Sequence, residues 1–337
     1  MKIGILTHPL GANYGGILQS FALSTYLQNQ GHDVTVLNRQ SNLPFAKRLI
    51  KSFLIAMHHP RYNSPRYRHL SSFVKKYINY SKPLYTDSQM KNIVMSRSLD
   101  AVIVGSDQVW RTGFAMGYGY NYFLDFVPAE VRKLSYAASF GLNNWEYSDE
   151  QTDRIKRLVS RFNAISVRED EGVTLCKDNL DINAEHVLDP TMLLQPEDYA
   201  PITNKRLVDD DYVFVYWLGS AEDKQKAIAD AHIEGKKLVD ISLRGSEPLM
   251  PIEDWLSYIQ YADHVVTDSF HGCVFSILFQ KQFTICANNS GGNGRLKSLF
   301  TMLNIDPTKG HIDYSVVNES LYKQRNHSYG FIKNALQ

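Results

Sequence analysis

Cysteine is scarce in this sequence, which has three among its 337 residues. Cys176, Cys273 and Cys286 form no close-spaced pair, so their positions predict neither a zinc site nor a thiol–disulfide motif. Cys273 and Cys286 lie in apolar runs, which indicates buried small hydrophobic residues in a reducing compartment. No HExxH motif and no carboxylate cluster indicates a metal site either, and the sequence therefore predicts no metal and no cofactor.

A long uninterrupted apolar run is also missing. No run approaches the roughly 18 residues that a membrane-spanning helix needs. His8 and Pro9 interrupt the N-terminal apolar run before it could serve as a secretory signal. We therefore expect a cytoplasmic protein. A hydrophobic content of 44% with 21% charged residues is that of a globular protein, and the length predicts about two domains.

Acidic residues are absent between positions 34 and 86, where lysine and arginine are frequent. Residues 45–57 combine apolar residues at four-residue spacing with Lys47, Arg48 and Lys51, a pattern that predicts a basic amphipathic helix. Such a helix suits peripheral contact with the inner face of an anionic membrane, although a solvated basic surface is the alternative. No nucleic-acid-binding motif accompanies it and the net charge is only +1, so nucleic acid is not an expected partner.

The order of the elements predicts an α/β protein. Short apolar runs alternate with helical patterns, which is typical of parallel sheets. The predicted strands lie near residues 2–7, 33–38, 99–104, 135–140, 164–167, 212–218, 237–242, 264–267 and 283–287. A polar segment at 196–211 separates two such series. We expect two Rossmann-like parallel-sheet domains facing a cleft, over residues 1–200 and 201–315, and a last helix over 316–337 that packs back on the first domain.

A glycine-rich loop follows the first predicted strand. It lacks the GxGxxG spacing and no acidic residue ends the second strand, so it is not a dinucleotide-binding fingerprint. Asn13, Tyr14 and Gly15 in this loop are predicted to contact a ligand, because glycine lets the backbone approach a ligand at the start of a helix. A plain tight turn is the alternative.

Polar and aromatic side chains follow the third predicted strand. Asp107, Gln108 and Trp110 suit sugar recognition, with hydrogen bonds to hydroxyls and a ring to stack on, although Asp107 could equally cap a helix. Arg168 directly follows a later predicted strand and is a candidate clamp for a phosphate or carboxylate. A salt bridge to its acidic neighbours is the alternative for Arg168.

A strand-to-helix turn within residues 263–280 combines an anion site with a titratable group. Asp268 and Ser269 can cap the helix, whose N-terminus carries partial positive charge. His271 lies in the first turn of this helix, where an imidazole could move a proton beside a bound anion. A buried, hydrogen-bonded histidine is the alternative.

Five motifs occur along the chain in a fixed order. They are GSDQVW (105–110), SYAASFG (135–141), SVRE (166–169), VLDPT (187–191) and TDSFHG (267–272). This ordered set resembles that of the polysaccharide pyruvyl transferases. The resemblance implies a two-domain, glycosyltransferase-B-like architecture. It also implies transfer of the enolpyruvyl group of phosphoenolpyruvate to a sugar, usually with closure of a cyclic ketal across two hydroxyls.

The resemblance also implies roles for individual residues. His271 matches the motif histidine and is expected to act as the general acid that protonates C3 of phosphoenolpyruvate. Arg168 matches the arginine that follows the mid-chain strand and is expected to bind phosphoenolpyruvate. The family often has an arginine where Ser269 stands, so one expected phosphate ligand is missing. Arg244 and Arg295 are candidate replacements because they lie in predicted cleft loops.

The acceptor side is less defined. Asp268 or Asp107 would deprotonate the sugar hydroxyl, and the sequence does not choose between them. The acceptor is expected to be a sugar of a surface polysaccharide or of its polyprenyl-diphosphate-linked precursor, bound by the first domain. A nucleotide-sugar glycosyltransferase of the same architecture and a non-catalytic binder of sugar or phosphoenolpyruvate are the alternatives.

Overall fold

The computed structural model describes residues 1–11, 13–41, 65–203, 205–231, 233, 235–242, 248–285 and 293–337. The predicted basic helix at 45–57, Cys286 and Arg244 lie outside these residues. The chain forms two compact units. The N-terminal unit consists of residues 1–193 and 327–337, and the C-terminal unit consists of residues 194–326.

The N-terminal unit is built on a six-stranded sheet. Its strands are β1 (Lys2–Leu6), β2 (Asp33–Val36), β3 (Ala101–Val104), β4 (Arg132–Ala138), β5 (Ala164–Val167) and β6 (Glu185–His186). All neighbouring strands are parallel, in the order β2-β1-β3-β4-β5-β6. The four residues of β3 are all buried, as expected for a central strand covered on both faces.

Helices connect these strands. They are α1 (Tyr14–Asn29), α2 (Arg68–Tyr77), α3 (Asp87–Ser96), α4 (Thr112–Ala115), α5 (Asp149–Val159) and α6 (Asp170–Leu180). Short 3-10 turns occur at Pro65–Tyr67, Met116–Tyr118, Asn121–Phe123 and Pro190–Met192. α5 begins with a capping box, in which Ser148 and Gln151 each bond the other's backbone N–H. Its apolar residues Ile155 and Val159 are buried in the core of the unit.

The C-terminal unit repeats this plan on a smaller scale. Its parallel strands are β7 (Tyr212–Trp217), β8 (Lys237–Ser242), β9 (His264–Thr267) and β10 (Gln282–Ile285), in the order β10-β9-β7-β8. Its helices are α7 (Pro196–Tyr199), α8 (Ala221–Asp230), α9 (Ile252–Tyr261), α10 (Phe270–Leu278) and α11 (Asn293–Leu303), with 3-10 turns at Ala200–Ile202 and Pro307–Lys309. Every residue of α10 is buried, including Cys273, which confirms that this cysteine is a core residue.

The last helix, α12 (Tyr314–Leu336), belongs to both units. Its residues from His327 onward pack in the N-terminal unit, where Tyr329 stacks on Tyr26 with ring centroids 4.9 Å apart. The hydroxyl of Ser328 accepts a hydrogen bond from the backbone N–H of Leu188 at 3.1 Å. Among the described residues, no helix is both long and apolar enough to cross a membrane.

Each sheet has one point at which the strand order reverses. In the N-terminal unit β2 and β3 lie on opposite sides of β1, and in the C-terminal unit β8 and β9 lie on opposite sides of β7. Open parallel sheets bind ligands outside the carboxyl ends of the strands at such a point, because the helices diverge there and leave a crevice. The topology therefore gives each unit one preferred position for a ligand.

Candidate functional site

The reversal point of the N-terminal unit brings His8 and Asp107 together. Leu6 of β1 is paired with Val104 of β3, so the residues that follow the two strands leave the sheet at the same edge. Asp107 has a backbone φ of +71°, a left-handed conformation that few non-glycine residues adopt. Such conformations persist where the surrounding structure imposes them, and they concentrate at functional sites.

Arg168 lies in the interior of the N-terminal unit and is surrounded by carboxylates. Its side chain is 1% exposed, and its Nη1 donates to Oδ2 of Asp189 at 3.0 Å. Nη2 donates to Oδ1 of Asp107 at 3.4 Å, and Nε lies 3.8 Å from Oε2 of Glu169. The guanidinium is thus engaged by protein carboxylates, which corrects the expectation that it clamps a phosphate of the substrate. It instead holds Asp107 in place.

The other two carboxylates of this cluster have further donors. Asp189 accepts hydrogen bonds from the backbone N–H and the hydroxyl of Thr191, at 3.0 and 2.7 Å. Glu169 accepts from the hydroxyl of Ser139 at 2.6 Å and from the backbone N–H of Phe140 at 3.1 Å. These bonds compensate for burial of the negative charge. Asp107 accepts a hydrogen bond from the backbone N–H of Gln108 at 2.9 Å, and it differs from the other two in being the most exposed of the three, beside His8 and α1.

His8 was not among the residues predicted to be functional. Its Nδ1 lies 3.4 Å from the hydroxyl of Tyr122, and its Nε2 is buried. Burial lowers the pKa of His8, which favours the neutral ring, whereas Asp107 and the backbone of Gln108 oppose this effect. The sequence signal was its position directly after a buried strand, the same position that drew attention to Asp107 and Arg168.

The glycine-rich loop begins α1 beside Asp107. The side chain of Asn13 caps the helix by accepting hydrogen bonds from the N–H groups of Gly15 and Gly16, at 3.0 and 3.4 Å. A Cβ atom at Gly16 would lie 3.6 Å from Oδ2 of Asp107, so the helix N-terminus adjoins that carboxylate. Tyr14, by contrast, is 1% exposed and offers no surface to a ligand, which corrects the prediction that it contacts the acceptor.

Trp110 is a core residue. It is 1% exposed, its indole N–H donates to the carbonyl of Tyr122 at 2.9 Å, and its ring stacks on Phe123. The prediction that Trp110 stacks on a sugar is therefore wrong, because its faces are covered by other aromatic rings. Gln108 is half-buried, and its Oε1 accepts a hydrogen bond from Nη1 of Arg111 at 3.0 Å.

The reversal point of the C-terminal unit carries the predicted strand-to-helix turn. Ser269 caps α10, since its hydroxyl accepts the N–H of Gly272 at 3.3 Å. His271 follows in the first turn of α10, 8% exposed, with its ring edge-on to Phe270. Thr267, the last residue of β9, fixes the turn by donating to the carbonyl of Tyr216 at 2.7 Å and accepting the N–H of Ser269 at 3.1 Å.

Asp268 joins the ends of two strands. Its Oδ1 accepts the N–H of Leu218 at 2.8 Å and its Oδ2 accepts the N–H of Gly219 at 2.7 Å, both in the loop that follows β7. Burial raises the pKa of Asp268, and these two hydrogen bonds oppose the rise. Because both carboxylate oxygens are used by the backbone, Asp268 is suited to holding the two loops together.

Gly272 is required for the contact between α10 and β9. A Cβ atom there would lie 2.4 Å from Oγ1 and 3.0 Å from Cγ2 of Thr267. We expect Gly272→Ala to lower the free energy of unfolding by about 1–3 kcal/mol, measured by urea denaturation, because Thr267 must move and its two hydrogen bonds weaken. Gly330→Ala, in α12, is the matched control, since its Cβ would meet nothing within 4 Å. Equal effects of the two substitutions would contradict this account.

Arg295 lies in the first turn of α11, as the sequence predicted for a residue at the mouth of a helix. Arg244, the other arginine predicted to replace the missing phosphate ligand, falls outside the described residues. Within the described ranges, no three histidine, cysteine, aspartate or glutamate residues are grouped so that they could hold a metal ion.

Solved structures similar to this chain share its two-unit architecture. UDP-GlcNAc 2-epimerase of Neisseria meningitidis, bound to UDP-GlcNAc, is 13% identical with a TM-score of 0.51, and the match covers 100% of both chains. Arabidopsis thaliana UGT89C1, complexed with UDP-L-rhamnose, is 9% identical with a TM-score of 0.52 over 99% of this chain and 98% of that one. A glycosyltransferase from Rickettsia africae is 10% identical with a TM-score of 0.50 over 100% and 99%. These likenesses show a glycosyltransferase-B-like fold with two Rossmann-like, parallel-sheet domains.

The sequence comparison identifies the family. No curated protein matches this chain at a significant level. The family model for polysaccharide pyruvyl transferases, however, matches residues 13–290, which include Asp107, Arg168 and the turn that carries His271. A match over this much of the chain, together with the fold, is sufficient to assign it: the chain belongs to the polysaccharide pyruvyl transferase family.

Proposed function

We propose that the protein transfers the enolpyruvyl group of phosphoenolpyruvate to a sugar of a surface polysaccharide or of its lipid-linked precursor, forming a pyruvate ketal. The observation that carries the proposal is His271. In a chain that belongs to the pyruvyl transferase family, this titratable residue lies in the first turn of a buried, capped helix at the reversal point of a parallel sheet. A proton donor beside a helix N-terminus suits a substrate that is an anion and must be protonated on carbon.

Ketal formation joins two sugar oxygens to one carbon, C2 of phosphoenolpyruvate. His271 donates a proton to C3 of phosphoenolpyruvate, and C2 then accepts the oxygen of a first sugar hydroxyl, whose own proton passes to a base. A second hydroxyl then attacks C2, the C2–O bond to the phosphate breaks, and the inorganic phosphate takes the proton of this hydroxyl as the ring closes. One phosphoenolpyruvate and one diol therefore yield one cyclic ketal and one phosphate, and no electrons are gained or lost.

The donor is proposed to bind at the N-terminus of α10. The N–H groups of the first turn and the helix dipole favour a phosphate or a carboxylate there. Ser269 has no cationic group and its hydroxyl caps the helix, so charge neutralisation must come from other residues. Arg295, in the first turn of α11, and Arg244 are proposed for this role, while Arg168 is assigned to holding Asp107.

Asp107 is proposed as the base that takes the proton of the sugar hydroxyl. Asp268 is the weaker candidate because the N–H groups of Leu218 and Gly219 occupy both of its oxygens. Asp107 lies at the reversal point of the N-terminal unit, which is the position expected for the acceptor. Asn13, Gly15 and Gln108 surround this position and complete the proposed acceptor side.

The test is release of inorganic phosphate from phosphoenolpyruvate, measured with a panel of galactose-, mannose- and glucosamine-type acceptors. The proposal predicts acceptor-dependent phosphate release and a product heavier than the acceptor by one pyruvate less one water. Release of a nucleoside diphosphate from a nucleotide sugar, with no use of phosphoenolpyruvate, would instead identify a glycosyltransferase. Binding of acceptor or phosphoenolpyruvate without any turnover would identify a non-catalytic relative.

The same assay addresses the form of the acceptor. The basic segment 45–57 supports a polyprenyl-diphosphate-linked acceptor at the inner face of the membrane, reached by a cytoplasmic protein, because that acceptor is anionic and membrane-bound. A matched pair of acceptors, one water-soluble and one lipid-linked in vesicles, decides between the two forms. Equal or higher turnover with the soluble acceptor would contradict the lipid-linked form and leave pyruvyl transfer intact.

A further inference from the structure

Phe114 presents an aromatic ring to solvent at the reversal point of the N-terminal unit. It lies in α4, which follows β3 at the carboxyl edge of the sheet, and it is 46% exposed. The guanidinium of Arg111 lies 5.5 Å from its ring centroid. The rings of Trp110, Tyr122 and Phe123, which come from the same stretch of chain, are at most 1% exposed. What distinguishes Phe114 is its position, because open parallel sheets bind ligands at the carboxyl edge of their strands.

Polar groups adjoin one side of this ring. The imidazole of His8 meets Phe114 edge-on, with ring centroids 5.3 Å apart and an interplanar angle of 75°. His8 also interacts with the backbone of Gln108 and with the carboxylate of Asp107. The site therefore combines an apolar face with polar groups at its edge.

This combination matches a pyranose sugar, which has an apolar face of C–H groups and a rim of hydroxyls. We infer that Phe114 is the stacking platform of the acceptor-sugar subsite and that His8, at its edge, bonds a sugar hydroxyl beside Asp107. The inference rests on the proposed function for the identity of the ligand as the acceptor. It assigns to Phe114 the role that the sequence suggested for Trp110, at a position four residues further along the chain.

The platform is tested by comparing Phe114→Ala, Phe114→Leu and Phe114→Tyr with the wild type in the acceptor-dependent assay. Loss of the ring is expected to raise KM for the acceptor roughly tenfold, because apolar area of that size no longer leaves water on binding. KM for phosphoenolpyruvate and the melting temperature should not change. Phe114→Tyr should retain the acceptor KM, whereas Phe114→Leu should resemble the alanine variant, since it is apolar but has no ring. Tyr322→Ala, which removes an aromatic residue that is 66% exposed in α12, is the matched control.

A binding measurement without phosphoenolpyruvate separates this inference from the proposed function. Each saccharide of the panel is titrated calorimetrically into the wild type, Phe114→Ala and His8→Ala. Weaker binding to both variants than to the wild type supports the subsite even if phosphoenolpyruvate is never turned over. Equal affinity of the wild type and Phe114→Ala overturns the inference, as does the absence of binding of every saccharide to the wild type.

Discussion

Replacing His271 by alanine is expected to lower kcat for phosphate release from phosphoenolpyruvate by about 10²- to 10⁴-fold, the range typical of a lost general acid. Protonation of C3 is the step that makes C2 electrophilic, and without it neither hydroxyl can attack. KM for the acceptor should change little, because the proposed acceptor site lies in the N-terminal unit and His271 in the C-terminal unit. Single-turnover phosphate release under saturating phosphoenolpyruvate measures the chemical step directly.

Two further variants give this experiment its controls. His311→Ala removes an exposed histidine of the same unit and should leave kcat unchanged. His271→Gln keeps hydrogen-bonding capacity but cannot titrate, so it should be as slow as the alanine variant if proton transfer is the role. A glutamine variant with near wild-type kcat would contradict the general-acid assignment and point to a structural role for the buried ring.

Replacing Arg168 by alanine is expected to lower the free energy of unfolding by roughly 3–5 kcal/mol, because it leaves buried carboxylates without their cation. Asp107, Asp189 and Glu169 all lie within 3.8 Å of its guanidinium nitrogens, and the side chain is 1% exposed. Water cannot solvate these buried carboxylates, so losing the guanidinium destabilises the folded state. Urea denaturation of wild type and variant, monitored by intrinsic fluorescence, measures the difference.

Lys156→Ala provides the comparison. It removes one partner of an exposed ion pair, in which Nζ of Lys156 lies 2.8 Å from Oδ2 of Asp181, and it should not change stability measurably. If Arg168→Ala were as harmless, the cluster would not be the structural hub described above. Had the sequence-based expectation been right and Arg168 a substrate clamp, the variant would keep its stability and raise only KM for phosphoenolpyruvate.

Most of the fold was predictable because the strands carry their signal locally. β3 and β7 are continuous apolar runs, AVIV and YVFVYW, each preceded by an aspartate, and both are fully buried. The last helix was predicted from residue 316 and begins at Tyr314. Strand order was not predicted from these patterns. The residues of β1, β2 and β3 do not indicate that β1 lies between the other two strands, because the strand order depends on how the connecting helices pack.

The residues of the candidate site were likewise predictable from the sequence only where their contacts are local. The turn at Ser269 and His271 was predicted because a cap and a first helical turn are formed by residues adjacent in sequence. Trp110 and Arg168 were misassigned because their partners are distant. The rings that cover Trp110 pack only in the folded unit, and Arg168 meets Asp107 from 61 residues away. Burial is a property of the packed chain, so a tryptophan or an arginine has the same sequence signal in a core as in a cleft.

The sequence by itself therefore determined the parallel α/β architecture, the capped His271 turn and, through its ordered motifs, the family. Only the tertiary structure decided which of the candidate residues are available to a ligand. In the folded chain, Trp110 and Tyr14 are buried and Arg168 forms ion pairs with carboxylates. His8 lies close enough to Asp107 to interact with it electrostatically. The physical reason is that hydrogen-bonded caps and strand patterns are local, whereas burial and charge pairing arise where segments remote in sequence meet.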